Sequence, residues 1–267
     1  DWIERPPEHG DLHTTSSTNS INPVFFIALD DRVNFCSDVL DISGDPAAAD
    51  REQAANLKRI VFDGITTAIE RGIAKSNIAV WADSDLGESV LLRAKAMSLI
   101  TASSPGNGAH YLGKLNVDYT AVQLSFNTDD PEDAREELLE RLKIVSDKAR
   151  IESIPLMIEL DVVPTTAQID MYGNFADARS IMLLTAIQRL QDAGVDPAVW
   201  AIEPPSDDVF TAAIAAQAHL DDRSSKLLLV ISGELVTGQI GSEIRDTEKQ
   251  VIRVAARTLA IAGVLIG

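Results

Sequence analysis

The chain has 267 residues, of which 45% are hydrophobic and 24% charged, and its formal net charge is −18. This composition is typical of a soluble globular domain with a large core. The negative charge argues against binding to nucleic acid or to anionic membranes, since their phosphates would repel the chain. No run reaches the roughly 18 apolar residues of a membrane span, and residue 1 opens no basic-then-apolar signal pattern.

The single cysteine indicates the cellular compartment, and the two ends of the chain indicate the limits of the folded domain. Cys36 alone excludes an internal disulfide and is typical of a reducing compartment, so we expect a cytoplasmic protein. Residues 1–22, with prolines and a polar run, predict a flexible tail, and residues 23–267 predict the folded domain. The chain begins at Asp rather than Met and stops inside the apolar run 261–267, so both ends look cut.

Apolar runs alternate with helical patterns from residue 24 onward. The predicted strands are 24–29, 77–82, 99–102, 119–126, 154–160, 198–202, 226–231 and 261–266. The predicted helices are 51–71, 86–97, 132–149, 177–193, 207–219 and 241–260. In the first helix, the expected buried face carries Leu57, Ile60, Val61, Ile65 and Ile69. The segment after the fifth strand is predicted to be an exit loop that reaches Asn174.

Eight near-continuous apolar strands separated by helices favour a parallel sheet that is covered on both faces. The count predicts an α/β fold of the (β/α)8 TIM-barrel type rather than an open doubly wound sheet. No G-x-G-x-x-G motif follows a strand, which removes the main reason to expect a dinucleotide fold. The helix that should follow the eighth strand is missing from the given chain; either it lies beyond Gly267 or the barrel is unusual.

Acidic side chains gather where the predicted strands end. In a TIM barrel these ends meet at the face that carries active sites. The expected set is Asp30, Asp31, Asp83, Asp85, Glu159, Asp161, Glu203 and Glu234, with Arg32 among them. Such carboxylates bind divalent cations through oxygen, act as general acid and base, or cap the helices that follow. All three uses remain open at this point.

Glu159 and Glu203 are the strongest catalytic candidates, because each closes an apolar strand and no helix start follows. Asp30 is the third catalytic candidate. The candidate ligands of a divalent cation are Asp30, Asp83, Glu159 and Glu203. The candidate substrate-binding residues are Arg32, Asp83, Asn127, Ser232 and Gly233. Arg32 fits a phosphate or a carboxylate, and equally an ion pair with a neighbouring acidic residue.

The segment from Gln188 to Pro205 is a complete helix–loop–strand unit. The helix is expected to end at Ala193, and Gly194 supplies the left-handed stop. A short strand follows and ends at Glu203, after which two prolines prevent both a helix and a sheet ladder from continuing. The unit therefore places a carboxylate at the carboxyl end of a barrel strand.

This unit carries a resemblance to a known family. Leu190 to Glu203 matches the pattern L-Q-D-A-G-V-x-P-x-x-W-x-I-E of the aldolase-type domain that is fused to the sugar kinase of myo-inositol catabolism. That domain is a relative of the class I tagatose-bisphosphate and sulfofructose-phosphate aldolases. Supporting matches cover most of residues 24–267: Asp30-Asp31-Arg32, Asp83 with Gly87, Glu159 to Thr166, and 263–267.

The resemblance implies a TIM barrel that acts on a sugar phosphate, but three expected side chains differ. The family's Schiff-base lysine corresponds to Ala201, a second lysine to Ala121, and a strand-four arginine to Ser125. A Schiff base requires a primary amine, which alanine lacks. Lys58 and five other lysines are expected on helices or their ends, facing the barrel exterior; they are Lys75, Lys95, Lys143, Lys148 and Lys249.

Three functions fit these observations. The first is a carbon–carbon lyase of carbohydrate metabolism that cleaves a sugar phosphate by acid–base or metal chemistry, with a divalent cation as a conceivable cofactor. The second is an inactive aldolase-like barrel that serves as a binding, regulatory or assembly subunit. The third is an isomerase or hydrolase that uses the acidic barrel face. For each we expect a small sugar or sugar phosphate as ligand, and self-association into a homo-oligomer.

Overall fold

A computed structural model of the chain describes residues 24–30, 40–42, 46–104, 115–231 and 261–266. Eight strands follow one another in chain order around a closed barrel, and adjacent strands pair in parallel. The strands are β1 (Val24–Leu29), β2 (Ile78–Asp83), β3 (Ile100–Ser104), β4 (Tyr119–Ser125), β5 (Leu156–Asp161), β6 (Val199–Ile202), β7 (Lys226–Ile231) and β8 (Ile261–Ile266). This topology confirms the predicted (β/α)8 barrel.

Six helices lie between these strands in the described part of the chain. They are α1 (Ala48–Glu70), α2 (Glu88–Ala96), α3 (Glu132–Glu152), α4 (Thr166–Tyr172), α5 (Phe175–Asp192) and α6 (Asp208–Ala218). Two short 3₁₀ helices, Lys75–Asn77 and Leu220–Asp222, lead into β2 and β7. The predicted tail 1–22 and the predicted helix 241–260 lie outside the described residues, so the domain limits stay a prediction.

The predicted exit loop after β5 is wrong in one respect, because it contains the helix α4. Thr165 caps this helix: its side chain accepts a hydrogen bond from the Gln168 backbone, and the Gln168 side chain accepts one from the Thr165 backbone. This reciprocal pair is a capping box, and its T-x-x-Q spacing is readable in the sequence. The seven residues were too few to show a helical period.

The chain divides into two compact units, and the first contains the residues up to Ala121. Here β1, β2 and β3 pair in parallel, with Ile27 opposite Val80 and Val80 opposite Thr101. Helices α1 and α2 pack against β2 through a buried cluster that includes Phe62, Val90 and Leu99. These apolar contacts hold α1 against the strand whose last residue is Asp83.

Gly87 permits the tight turn from β2 into α2. A methyl group at this position would lie 2.6 Å from both the Ala82 side chain and the Asp83 carbonyl oxygen. No heavier side chain fits without moving the backbone. The glycine therefore keeps the start of α2 close to the carboxyl end of β2.

The second unit runs from Val122 to Ile266. Strands β5, β6, β7 and β8 pair in parallel, so that Ile158, Trp200 and Leu227 lie side by side and are fully buried. Helices α5 and α6 contact each other, and α6 also contacts β7. A search of the described helices found none that is both long and apolar enough to cross a membrane.

Candidate active site at the strand ends

In the first unit, Asp83 ends β2 and is committed to contacts within the chain. One carboxylate oxygen accepts hydrogen bonds from the backbone N–H groups of Asp85 and Leu86. The other forms an ion pair with Lys58 of α1. Asp83 therefore shapes the turn after β2 and joins that turn to α1. Asp30, another predicted site residue of this unit, is buried directly after β1.

The position of Lys58 corrects the prediction that it faces the barrel exterior. Its side chain is only 1% exposed. The buried stripe of α1 consists of Ala54, Lys58, Phe62 and Ile65, whereas Ile60 and Val61 of the predicted face are about half exposed. Phe62 is the largest side chain of the stripe, and its burial against β2 turns the helix away from the face that the aliphatic residues suggested.

In the second unit, Glu159 lies beside Ala201. The two residues are register partners on β5 and β6, so their side chains point to the same face of the sheet. Glu159 is 5% exposed, and Ala201 is fully buried. Strand β5 continues to Asp161, so Glu159 stands inside the strand rather than at its end. The Ala201 side chain is thus a methyl group next to a buried carboxylate.

Glu203 follows β6 and is held by a residue that the sequence did not single out. Arg179 of α5 forms an ion pair with the Glu203 carboxylate and donates a hydrogen bond of 3.0 Å to the Pro204 carbonyl oxygen. The Arg179 side chain is 12% exposed, and its guanidinium lies 5.6 Å from the ring centre of Phe175. The guanidinium of Arg179 therefore joins α5 to the end of β6 and to Pro204.

Burial lowers the pKa of Arg179 from its ordinary value, and the negative charge of Asp161 opposes that shift. Withdrawal of the guanidinium from water is the larger of these two effects. A cation in the first turns of a helix runs against the helix dipole. An arginine near the start of a predicted helix is therefore unfavourable, and this position is the feature of the sequence that could have indicated a special role for Arg179.

Asn127, a predicted substrate-binding residue, belongs to a buried amide pair. Its side-chain nitrogen donates to Val163 and to the Gln168 side chain, each at 2.9 Å. The Gln168 side chain in turn donates to Asn127 at 2.9 Å and to Asp129 at 2.7 Å. These bonds hold the loop after β4 against α4. Asn127 is 7% exposed, and its side-chain donors and acceptor serve this network.

Several predicted site residues lie outside the described residues. They are Asp31, Arg32, Ser232, Gly233 and Glu234. Their assignment as strand-end or substrate-binding residues stays a prediction.

The carboxylates that the structure describes do not fit the predicted divalent-cation site. Within the described ranges, no group of three or more His, Cys, Asp or Glu side chains is placed to hold a metal ion. Of the four predicted ligands, Asp83 is paired with Lys58 and Glu203 with Arg179. A divalent cation at either carboxylate would have to compete with these protein cations.

Comparisons with known proteins bear on the fold. No protein-family model matches the chain, and neither does any curated protein sequence. The structure is similar to that of the Cgl0159 protein of Corynebacterium glutamicum, with a TM-score of 0.56 and 14% identity over 92% of this chain and 78% of that one. It also superposes on the YdjI aldolase of Escherichia coli K12, with a TM-score of 0.44 and 13% identity over 92% and 76%. At these identities the likeness to Cgl0159 shows the barrel fold alone, and the YdjI superposition carries no argument.

Proposed function

We propose that this protein is an aldolase-like barrel of carbohydrate metabolism that binds a small sugar phosphate without cleaving it. One observation carries the proposal: two strand-end carboxylates are already paired with cations of their own chain, Asp83 with Lys58 and Glu203 with Arg179. A carboxylate held in this way has fewer free lone pairs for a proton or a metal ion. Binding is therefore the role that this arrangement serves best.

The same two ion pairs reduce the negative charge of the strand-end carboxylates. A row of free carboxylates at the strand ends would repel a phosphorylated ligand. Lys58 neutralises Asp83, and Arg179 neutralises Glu203. The charge that a ligand meets is thus less negative than the sequence implies. The match of Leu190 to Glu203 with the aldolase-type family supports a sugar phosphate as the ligand class.

A second candidate is a carbon–carbon lyase in which Glu159 is the general base. It is favoured by the buried Glu159 carboxylate beside Ala201, because buried ionisable groups often mark sites of proton transfer. This candidate predicts turnover that is lost in Glu159→Gln. The first candidate predicts saturable binding and no turnover.

Isothermal titration calorimetry with fructose 1-phosphate and with unphosphorylated fructose tests the proposal. We expect saturable binding of the phosphorylated ketose and much weaker binding of fructose. Equal affinity for both sugars, or no heat with either, would contradict it. Glu203→Gln serves as a second variant, because it keeps the side-chain shape and removes the charge that Arg179 balances.

A further inference from the structure

A cavity of about 260 Å³ lies between the end of β4 and the first turns of α3, within the second unit. Its polar lining includes Ser125, the last residue of β4, together with Asp130, Arg135, Glu137 and Arg141. The volume is just below the 300–1,000 Å³ of pockets for drug-sized ligands. A ligand of this cavity is therefore a small metabolite.

The two arginines are not used by the rest of the described chain. Neither Arg135 nor Arg141 forms an ion pair or a side-chain hydrogen bond with another described residue. The Nε atom of Arg135 is buried and has no hydrogen-bond partner among these residues. An unsatisfied buried donor destabilises a fold unless an acceptor enters the site. In a chain of net charge −18, two guanidinium groups at one cavity suit an anionic acceptor.

The remaining lining residues restrict the kind of anion. Asp130 and Glu137 are hydrogen-bond acceptors, which fit ligand hydroxyl groups rather than a second phosphate. One Asp130 oxygen already accepts the Asn127 backbone N–H at 3.0 Å, which fixes that carboxylate in place. Leu138 supplies apolar surface for a carbon skeleton. The lining thus combines phosphate donors, hydroxyl acceptors and the apolar side chains of Ala134 and Leu138.

We propose that this cavity, which we call the α3 cavity, binds the phosphate group of a small hydroxylated phosphate monoester through Arg135 and Arg141. This inference rests on the proposed function for the sugar phosphate, and it places the phosphate on helix α3 rather than on a strand end. Ser125 donates a further hydrogen bond from the end of β4. The guanidinium groups thus come to the ligand from the helix that follows the strand.

Calorimetry on three variants of the full chain tests the α3 cavity. We expect Arg141→Met and Arg135→Met each to weaken fructose 1-phosphate binding at least about tenfold, since a hydrogen bond to a charged group contributes that much. Arg150→Met is the matched control, because Arg150 lies on the same helix, is 64% exposed and pairs with Asp147. It carries the same change of charge and should bind within about twofold of the parent chain. Arg141 is exposed, so its variant will fold even if Arg135→Met does not.

The outcomes separate this inference from the proposed function. Parent-like binding in both Arg135→Met and Arg141→Met overturns the α3 cavity, and so does an equal loss in Arg150→Met. If the parent chain and both of those variants bind fructose 1-phosphate equally well, the proposed function stands and the cavity fails. Binding of inorganic phosphate that depends on Arg141, without binding of fructose 1-phosphate, supports the anion site and contradicts the proposed function. No binding by the parent chain overturns both.

Discussion

Lys58 illustrates how one buried charge ties a helix to a strand end. Its ammonium group crosses from α1 to Asp83 and leaves only 1% of the side chain exposed. Asp83 uses its second oxygen for the backbone of the following turn. Three features, the helix, the strand end and the turn, therefore depend on this pair.

We expect Lys58→Met to lower the free energy of unfolding by about 3 kcal/mol, because removal of one partner leaves a buried carboxylate without its cation. Urea unfolding followed by circular dichroism measures this change. Lys148→Met is the control: Lys148 pairs with Glu152 near the surface at 3.9 Å, and its loss should change stability by less than about 0.5 kcal/mol. Equal effects of the two substitutions would show that the Lys58 pair is not the link described here.

Asp177 gives a pH dependence of known sign. Hydrogen bonds from Ser206 and then Asn174 lower the pKa of this carboxyl group. Its contribution to stability is therefore present above the unfolded pKa of about 3.9 and is lost as the pH falls through the folded value. We expect Asp177→Asn to melt below the parent chain at pH 7, with the difference shrinking below about pH 4. A difference in melting temperature that is the same at pH 7 and pH 3 would refute this sign.

At the scale of elements, the stop of α5 depends on one backbone conformation. Gly194 follows the helix with φ +84°, in the left-handed region that other residues adopt at a penalty. The turn directs the chain into β6 and so sets the position of Glu203.

Two glycine substitutions test this conformation with opposite signs. We expect Gly194→Ala to destabilise the protein by about 1 kcal/mol, since alanine resists positive φ. Gly64→Ala is the matched change inside α1, where the added methyl group meets no atom within 4 Å. It should stabilise by about 0.5–1 kcal/mol because alanine is the better helix former. Thermal unfolding of both variants measures these changes. A change of melting temperature in the same direction for both variants would contradict the role of Gly194 in the turn.

Most elements could be predicted because their periods are strong, and the failures have physical causes. The β1, β7 and β8 bounds agree with the apolar runs, because those strands lack polar interruptions. In α1, aliphatic residues alone suggested a buried face, but aromatic packing of Phe62 and the Lys58 ion pair rotated it. Lys58 and Asp83 are far apart in the sequence, so no local sequence pattern predicts that they form an ion pair.

At the scale of the whole molecule, strand count and alternation were enough to predict the closed barrel. The candidate site was predictable only in part. Glu159 and Glu203 were identified because each follows an apolar run. The strand register, which the sequence does not give, shows that Glu159 and Ala201 lie on the same face of the sheet. Arg179, Arg135 and Arg141 were not identified, because arginine on a helix usually indicates a solvated surface.

We infer that the barrel binds a phosphorylated ketose without cleaving it. The most direct test is to incubate ¹³C-labelled fructose 1-phosphate with a stoichiometric amount of protein and to record its NMR spectrum over hours. We expect the signals of the sugar phosphate to shift or broaden on binding, and we expect no triose phosphate to form. The appearance of dihydroxyacetone phosphate, abolished in Glu159→Gln, would contradict it and establish the lyase instead.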